Sequence, residues 1–247
     1  MGKLLARLAA LCALLAACAA PTPPAPTTLR IEATDLTAPL LSDLAAAYAE
    51  VNPNVSVIPT VVPLSALSAD LAAGRADLGL AVNRDPGQFA TPLGYVSFII
   101  VAHPSNPIGS LSAAQVREIY SGGVTDWGQV GGPNGVIQVV GREDASDAAR
   151  AFGLSALSGA IPTPNMLVAP GWPAMREAVS ENPNALGYLP APELDATVKP
   201  LSVDAYWRAL IVAVALQEPT GPARDFLAWA QSEPGQRVVA KRYEAVK

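Results

Sequence analysis

Reactive side chains are scarce in this chain, which has two cysteines and one histidine among 247 residues. Cys12 and Cys18 lie in or directly after an apolar N-terminal segment, so residues 19–247 contain no thiol for a disulfide, a metal site or a nucleophile. His103 would need a nucleophile and an orienting acid to act as a catalytic base, and the chain has no nucleophile-elbow motif. We therefore rank an enzyme behind any binding function, and expect His103 in a hinge or on the surface.

Positive charge is also in short supply. The chain carries 16 Lys and Arg against 21 Asp and Glu, a formal net charge of −5, and it has no basic stretch. An acidic surface repels the phosphate backbone of nucleic acids, which excludes a nucleic-acid partner. Nothing in the composition implies a cofactor or a metal, and we expect a monomer.

The N-terminus has the regions of a secretory signal peptide in the usual order. Lys3 and Arg7 give a positive start, the apolar run 8–15 follows, and small residues precede Cys18. The run is too short to span a membrane, and the order predicts a signal peptide over residues 1–17. Leu-Ala-Ala-Cys resembles the lipobox of bacterial lipoproteins, which implies cleavage before Cys18 and a thioether-linked diacylglycerol on it. The alternative is an ordinary signal peptide with a chance cysteine.

A proline-rich segment follows the predicted lipidation site. Residues 18–28 include four prolines, a density that is incompatible with a helix or a central strand and favours extended polyproline II. We expect a semi-rigid tether that holds the folded body away from a membrane. The protein would then be extracytoplasmic and anchored by its N-terminal lipid, with the identity of the membrane left open.

From residue 29 onward, apolar residues follow strand and helix periodicities in turn. The predicted order is strand, helix, strand, helix, strand, over residues 29–33, 38–51, 55–59, 65–73 and 77–82. This order indicates a parallel α/β sheet, which places ligands at the carboxyl ends of its strands near helix N-termini. The β-prone runs 95–101 and 208–215 predict further buried strands.

Four ordered segments carry a family resemblance. They are the helical segment and turn 111–127, the strand and loop 137–146, Asn-Pro-Asn-Ala-Leu-Gly-Tyr at 182–188 and Ser-Glu-Pro-Gly-Gln at 232–236. Together they resemble the phosphate-binding solute receptors of ABC transporters, and the resemblance runs from about residue 29 to the end.

This resemblance implies an architecture and a role. The fold would be α/β, a two-lobed periplasmic-binding-protein fold of type II, with a mixed sheet flanked by helices in each lobe and two crossover strands as a hinge. Lobe I would comprise residues 29–102 and 204–247, and lobe II residues 103–203. Such receptors close around a small solute and present it to the permease subunits of an ABC importer.

The second-lobe anion loop of that family has the pattern Arg-x-x-Gly-Ser-Gly-Thr. Arg142 and Ser146 match this pattern, which implies that they are charged and hydroxyl ligands of an oxyanion. Asp147 and Ala148 replace the final Gly-Thr. The carboxylate of Asp147 would oppose a bound phosphate, unless it points away and serves as an early-turn acid of a helix. Trp172 either lines the cleft or is buried in the core.

The first lobe retains few of the donors that the resemblance implies. Its first loop offers Thr34, Asp35 and Leu36, where the family has Gly, Ser and Thr near a proline. Ser65 is either a solute ligand or the N-cap of the second helix, and Asn83 either contacts solute or forms a surface turn. The solute is thus left open between phosphate, another small oxyanion and a polar organic molecule. The alternative function is a ligand-free or sensory interaction module.

Overall fold

The computed structural model describes residues 26–82 and 86–246. Three sequence predictions lie outside these ranges: the signal peptide, the lipidation of Cys18 with most of the tether, and the role of Asn83. Within the described ranges, no helix is both long enough and apolar enough to cross a bilayer.

Strands form one large mixed sheet and one small pair. Their bounds are β1 Thr27–Ala33, β2 Val55–Val61, β3 Leu78–Val82, β4 Phe89–Ala102, β5 Ser110–Leu111, β6 Gln138–Gly141, β7 Leu167–Val168, β8 Ala185–Pro190, β9 Lys199–Pro200, β10 Ser202–Val203, β11 Arg208–Ala215 and β12 Glu244–Ala245. The large sheet has the order β2-β1-β3-β11-β4-β8-β6-β7, and β9 and β12 also pair with β4. β5 and β10 form the separate pair.

Helices connect these strands and cover the sheet. Their bounds are α1 Ala38–Val51, α2 Leu64–Ala72, α3 Ala113–Ser121, α4 Asp147–Ser155, α5 Trp172–Glu181, α6 Gly221–Ala230 and α7 Glu233–Val239, with short 3₁₀ turns at Trp127–Val130 and Ala191–Glu193. α1 buries Leu40, Leu44 and Tyr48, which share one face at helical spacing. A capping box of Ser112 and Gln115 starts α3.

β4 joins two halves of the large sheet. Up to Ser97 it pairs with antiparallel β11, and from Phe98 onward it pairs with β8. We call β2, β1, β3 and β11 the first half, in which β1 is parallel to both β2 and β3. β8, β6 and β7 form the second half, in which all pairs are parallel. The predicted two-lobed α/β fold with mixed sheets is confirmed, while the lobe boundaries at 102/103 and 203/204 stay a prediction.

β4 begins six residues earlier than the predicted strand at 95–101. Its first part contains Pro92 and Gly94, residue types that are unfavourable inside a strand, so the sequence did not predict a strand there. Pro92 is tolerated because it adjoins a bulge: consecutive Ile211 and Val212 of β11 pair with Gly94 and Pro92, which leaves Leu93 of β4 as the extra residue. Gly94 is needed because a Cβ there would come within 2.9 Å of the carbonyl oxygen of Glu244.

An aromatic cluster fixes α4 against the second half of the sheet. The rings of Phe152 in α4 and Tyr188 in β8 stack with centroids 3.8 Å apart and planes 5° apart. Tyr120 of α3 and Phe98 of β4 meet these rings edge-on. Burial of aromatic surface in this geometry favours one placement of α4, and hence of the loop that precedes it.

We predict that Phe152→Ala lowers the free energy of unfolding by about 3–5 kcal/mol, because it empties the centre of this cluster. Leu154→Ala is the matched control in the same helix, since Leu154 is 62% exposed; it should change the free energy by less than about 0.5 kcal/mol. Urea unfolding followed by circular dichroism measures both. Equal losses in the two variants would contradict the assignment.

Candidate functional site

A cavity of about 320 Å³ lies between the two halves of the sheet, and we call it the polar cavity. The loops after β1 and β2 form one wall, and the loop after β6 together with Pro170 forms the other. All three loops follow the carboxyl ends of parallel strands, where open α/β sheets place their ligands. The predicted site residues that line it are Thr34, Asp35, Ser65, Arg142, Ser146 and Asp147.

Arg142 is almost fully buried in the wall of the polar cavity. Its Nε and Nη2 donate to the carboxylate of Glu143 at 3.1 and 3.0 Å, and its Nη1 donates to Oδ2 of Asp35 at 2.7 Å. Its guanidinium also lies over the ring of Trp172, 4.6 Å from the centroid. Every guanidinium nitrogen is therefore already engaged by an acid of the chain.

The charge of Arg142 controls the ionisation of its neighbour. Burial alone raises the pKa of the Glu143 carboxyl, but the hydrogen bonds and charge of Arg142 outweigh burial and hold this pKa below its usual value. Glu143 is thus a carboxylate at neutral pH. Because Asp35 comes from the first half of the sheet and Arg142 from the second, their ion pair joins the two walls.

Asp147 is the first residue of α4, and its carboxylate reaches across to the first half of the sheet. Oδ2 accepts a hydrogen bond from Oγ1 of Thr34 at 3.0 Å and another from the backbone N–H of Val82 at 2.8 Å. The side chain is 1% exposed, and Oδ1 has no hydrogen-bond partner among the described residues. Burial raises the pKa of Asp147 to about 6, since these two hydrogen bonds offset only part of the lost hydration.

Of the two alternatives for Asp147, a carboxylate at the site or an early-turn acid pointing away from it, the structure has the carboxylate at the site. Asp147 does lie in the first turn of α4, but its carboxylate is part of the cavity wall and bridges the two halves. The sequence could not show the direction of the side chain, because its partners lie 113 and 65 residues away along the chain.

Ser146 serves as the N-cap of α4. Its Oγ accepts from the N–H of Ala149 at 3.0 Å and donates to the carbonyl of Glu143 at 2.8 Å. These bonds hold the 142–147 loop and leave the hydroxyl committed to the backbone. The side chains of Leu36 and Ala148 are buried in the core and do not line the polar cavity, so only their backbone groups could serve a solute.

Ser65 is not the N-cap of the second helix. α2 begins one residue earlier, at Leu64, and its N-cap is Pro63, whose fixed φ suits the extended backbone found there. The N-cap alternative for Ser65 is therefore wrong. Its side chain is exposed in the first turn and lines the polar cavity, which leaves it available to a solute.

Sequence reasoning missed three contributors to the site: Val82, Glu143 and Pro170. Val82 acts through its backbone N–H, which no side-chain pattern reveals, although its position at the end of a predicted parallel strand was a usable signal. Glu143 directly follows Arg142, and this adjacency of opposite charges was a second signal. Trp172 is buried against Arg142 and outside the lining of the polar cavity, as the core alternative expected.

A second cavity, of about 360 Å³, lies entirely in the second half of the molecule. Its walls are mainly apolar and aromatic, including Phe152, Tyr188 and Ile161, with Arg142 and Arg150 at the side. The polar cavity is slightly smaller but unites residues from both halves with several ionisable groups. We therefore take the polar cavity as the candidate functional site.

His103 makes a local contact rather than a catalytic one. Its Nδ1 lies 2.8 Å from Oγ of Ser105 and accepts the Ser105 backbone N–H at 3.1 Å. Both residues belong to an exposed turn after β4, and no acid in the described part of the chain hydrogen-bonds to His103. This arrangement is a turn stabilised by its own side chains.

A two-lobed α/β body with a polar cavity between its sheet halves is the architecture of bilobal binding proteins. The chain belongs to the PBP superfamily, whose domain profile matches residues 19–225. Membership in this family confirms the prediction of a binding protein rather than an enzyme.

Individual relatives agree with this assignment. The phosphate-binding protein PstS of Bacillus subtilis (strain 168) is 26% identical over 159 residues, which cover 58% of this chain and 52% of that protein. The match thus spans about half the length of this curated relative. A solved structure described as a phosphate ABC transporter substrate-binding protein with bound phosphate, from Clostridium perfringens, is 25% identical with a TM-score of 0.80, over 90% of this chain and 100% of that one.

A second solved structure, an ABC-type phosphate transport receptor from Vibrio cholerae, has the same fold. It is 22% identical with a TM-score of 0.74, over 89% of this chain and 100% of that one. These matches confirm the resemblance to phosphate-binding solute receptors that the sequence segments indicated.

We predict that Asp147→Asn removes a pH-dependent loss of stability. The folded-state pKa of about 6 lies above the ordinary 3.8, so the stabilisation by the protonated acid is fully present at low pH and is lost as pH rises through about 6. Relative to wild type, the Asn variant should gain about 3 kcal/mol between about pH 4 and pH 7. Urea unfolding across this range measures the gain, and a pH-independent difference would contradict it.

Proposed function

We propose that this chain is the extracytoplasmic solute-binding protein of an ABC importer. It holds one small solute in the polar cavity, between lobe I at 29–102 with 204–247 and lobe II at 103–203. The observation that carries the proposal is that both halves of the sheet contribute polar side chains to one cavity of solute size. The crossover from one half to the other runs through β4, which allows the hinge motion that captures a solute.

The same proposal assigns a membrane anchor. Signal cleavage before Cys18 would leave a diacylglycerol on that residue, and the proline-rich segment up to residue 28 would space the folded body from the membrane surface. A single lipid-modified residue suits a receptor that must stay near membrane-embedded permease subunits while its binding lobes move freely. The body would act as a monomer.

Phosphate is the first solute to test, because the relatives named above are described as phosphate receptors. Other small oxyanions and polar organic solutes are the further candidates. One observation favours the second function, a ligand-free or sensory module: Arg142 and Thr34, two groups expected to bind an anion, are already bonded to acids of the chain.

Thermal unfolding of the folded body, residues 27–247, with a panel of phosphate, sulfate, phosphonates, amines and small organic acids tests the proposal. A solute at about a hundred times its dissociation constant should raise the free energy of unfolding by about 2.7 kcal/mol, which is several degrees for a body of this size. A shift with one solute class supports a transport receptor. No shift with any class would favour the ligand-free module.

We predict that Cys18→Ala releases the protein from the membrane. The thioether lipid requires the cysteine sulfur, so the variant should lose its lipid and move to the soluble extracytoplasmic fraction. Fractionation with radiolabelled fatty acid measures both changes. Cys12→Ala is the matched control, since Cys12 lies in the part of the signal that is removed, and it should label as wild type does. Membrane retention of the Cys18 variant would overturn the anchor.

A further inference from the structure

The polar cavity contains the donors of an anion site, but they already serve an anion that belongs to the chain. Oγ1 of Thr34 and the N–H of Val82 both donate to Oδ2 of Asp147, at 3.0 and 2.8 Å. The donors belong to the first half of the sheet, whereas the carboxylate belongs to the second. Converging hydroxyl and backbone donors of this kind are what an oxygen of a bound oxyanion requires, and here they hold a carboxylate oxygen of the chain.

The charge around the cavity also opposes an oxyanion. Among the described residues, its ionisable lining consists of three acids, Asp35, Glu143 and Asp147, against the single cation Arg142. Arg142 donates through all three of its nitrogens to two of these acids, and its side chain is 2% exposed. Among the described lining residues, a second anion would therefore meet more acids than cations, and the lining guanidinium is already paired.

Other features of the cavity suit a cation. The side chains of Asp35 and Glu143 are still 36% and 45% exposed and can accept further hydrogen bonds. The buried Oδ1 of Asp147 lacks a donor among the described residues. The stretch Val61-Val62-Pro63-Leu64 supplies an apolar wall beside these acids, against which a hydrocarbon chain could pack.

We propose that Asp147 determines the specificity of the polar cavity, because its carboxylate acts as a built-in anion that excludes phosphate and similar oxyanions. The cavity instead selects a small organic solute with a positive charge, of the amine class. This inference rests on the proposed solute-binding function and names the solute class of the same site.

Calorimetric titration with inorganic phosphate at low ionic strength tests the role of Asp147. Asp147→Ser vacates the position between Thr34 and Val82 and removes the charge, so it should bind phosphate roughly tenfold or more tighter than wild type. Asp147→Asn keeps the size and an acceptor oxygen, so the donors stay occupied and little should be gained. Asp147→Ala is the second vacating variant if the Ser variant does not give the wild-type circular dichroism spectrum.

Asp144→Asn is the matched control. It removes the same charge from an exposed acid of the same loop that does not line the polar cavity. It should leave phosphate binding unchanged. If Asp144→Asn and Asp147→Ser gained the same phosphate affinity, the gain would come from the lower net negative charge alone, and the proposal would be overturned. Wild-type protein that binds phosphate as tightly as Asp147→Ser, or a folded Asp147→Ser with no gain, would overturn it as well.

Titration of wild type with putrescine, agmatine and choline tests the solute class. At least one should bind, and Glu143→Gln should weaken that binding roughly tenfold. Phosphate binding gained by Asp147→Ser without any amine binding by wild type would overturn the amine class while supporting the cavity as the binding site. No binding of any probe by any variant would instead count against the proposed function itself.

Discussion

The continuity of β4 through both halves of the sheet is the constraint from which the site follows. Phe89–Ala102 supplies hydrogen bonds first to β11 and then to β8, so the two halves share one strand and are joined through it. The stacked pair Phe152 and Tyr188 ties α4 to β8. Asp147, at the start of α4, is thereby brought opposite the ends of β1 and β3. The shared sheet and this aromatic stack together place the carboxylate of Asp147 next to Thr34 and Val82.

The groups that meet are energetically unequal. Arg142 forms ion pairs with both Asp35 and Glu143, so its buried positive charge is compensated. Asp147 is less well served, because its carboxylate is buried with one oxygen bonded twice and the other unbonded among the described residues. Such a group costs folding free energy, and clusters of this kind are typical of functional sites rather than of structural cores. This free-energy cost is concentrated at Asp147, which reaches from the second half of the sheet to groups of the first half.

The sequence predicted the first part of the fold closely because periodicity is a local signal. The bounds of α1 agree at both ends, and β1 and β3 agree within two residues. The early part of β4 escaped prediction because Pro92 lies next to a bulge at Leu93 in β4, and Gly94 is required by the close approach of β12. Arg142 was identified from the anion-loop pattern. Its pairing with Asp35, 107 residues earlier, depends on the tertiary fold and could not be read from local sequence. Local pattern shows which residues are equipped for binding, and the fold decides which of them are still free.

The contacts between the two walls also bear on kinetics. Separating the halves breaks the ion pair between Asp35 and Arg142 and the hydrogen bonds of Asp147 to Thr34 and Val82, so the chain itself resists opening. Under the proposed function, a solute that enters only when the walls part would be captured at a rate limited by that opening step, since only the open fraction is competent. The observed capture rate would then rise with solute concentration at first and level off at the rate at which the two walls separate.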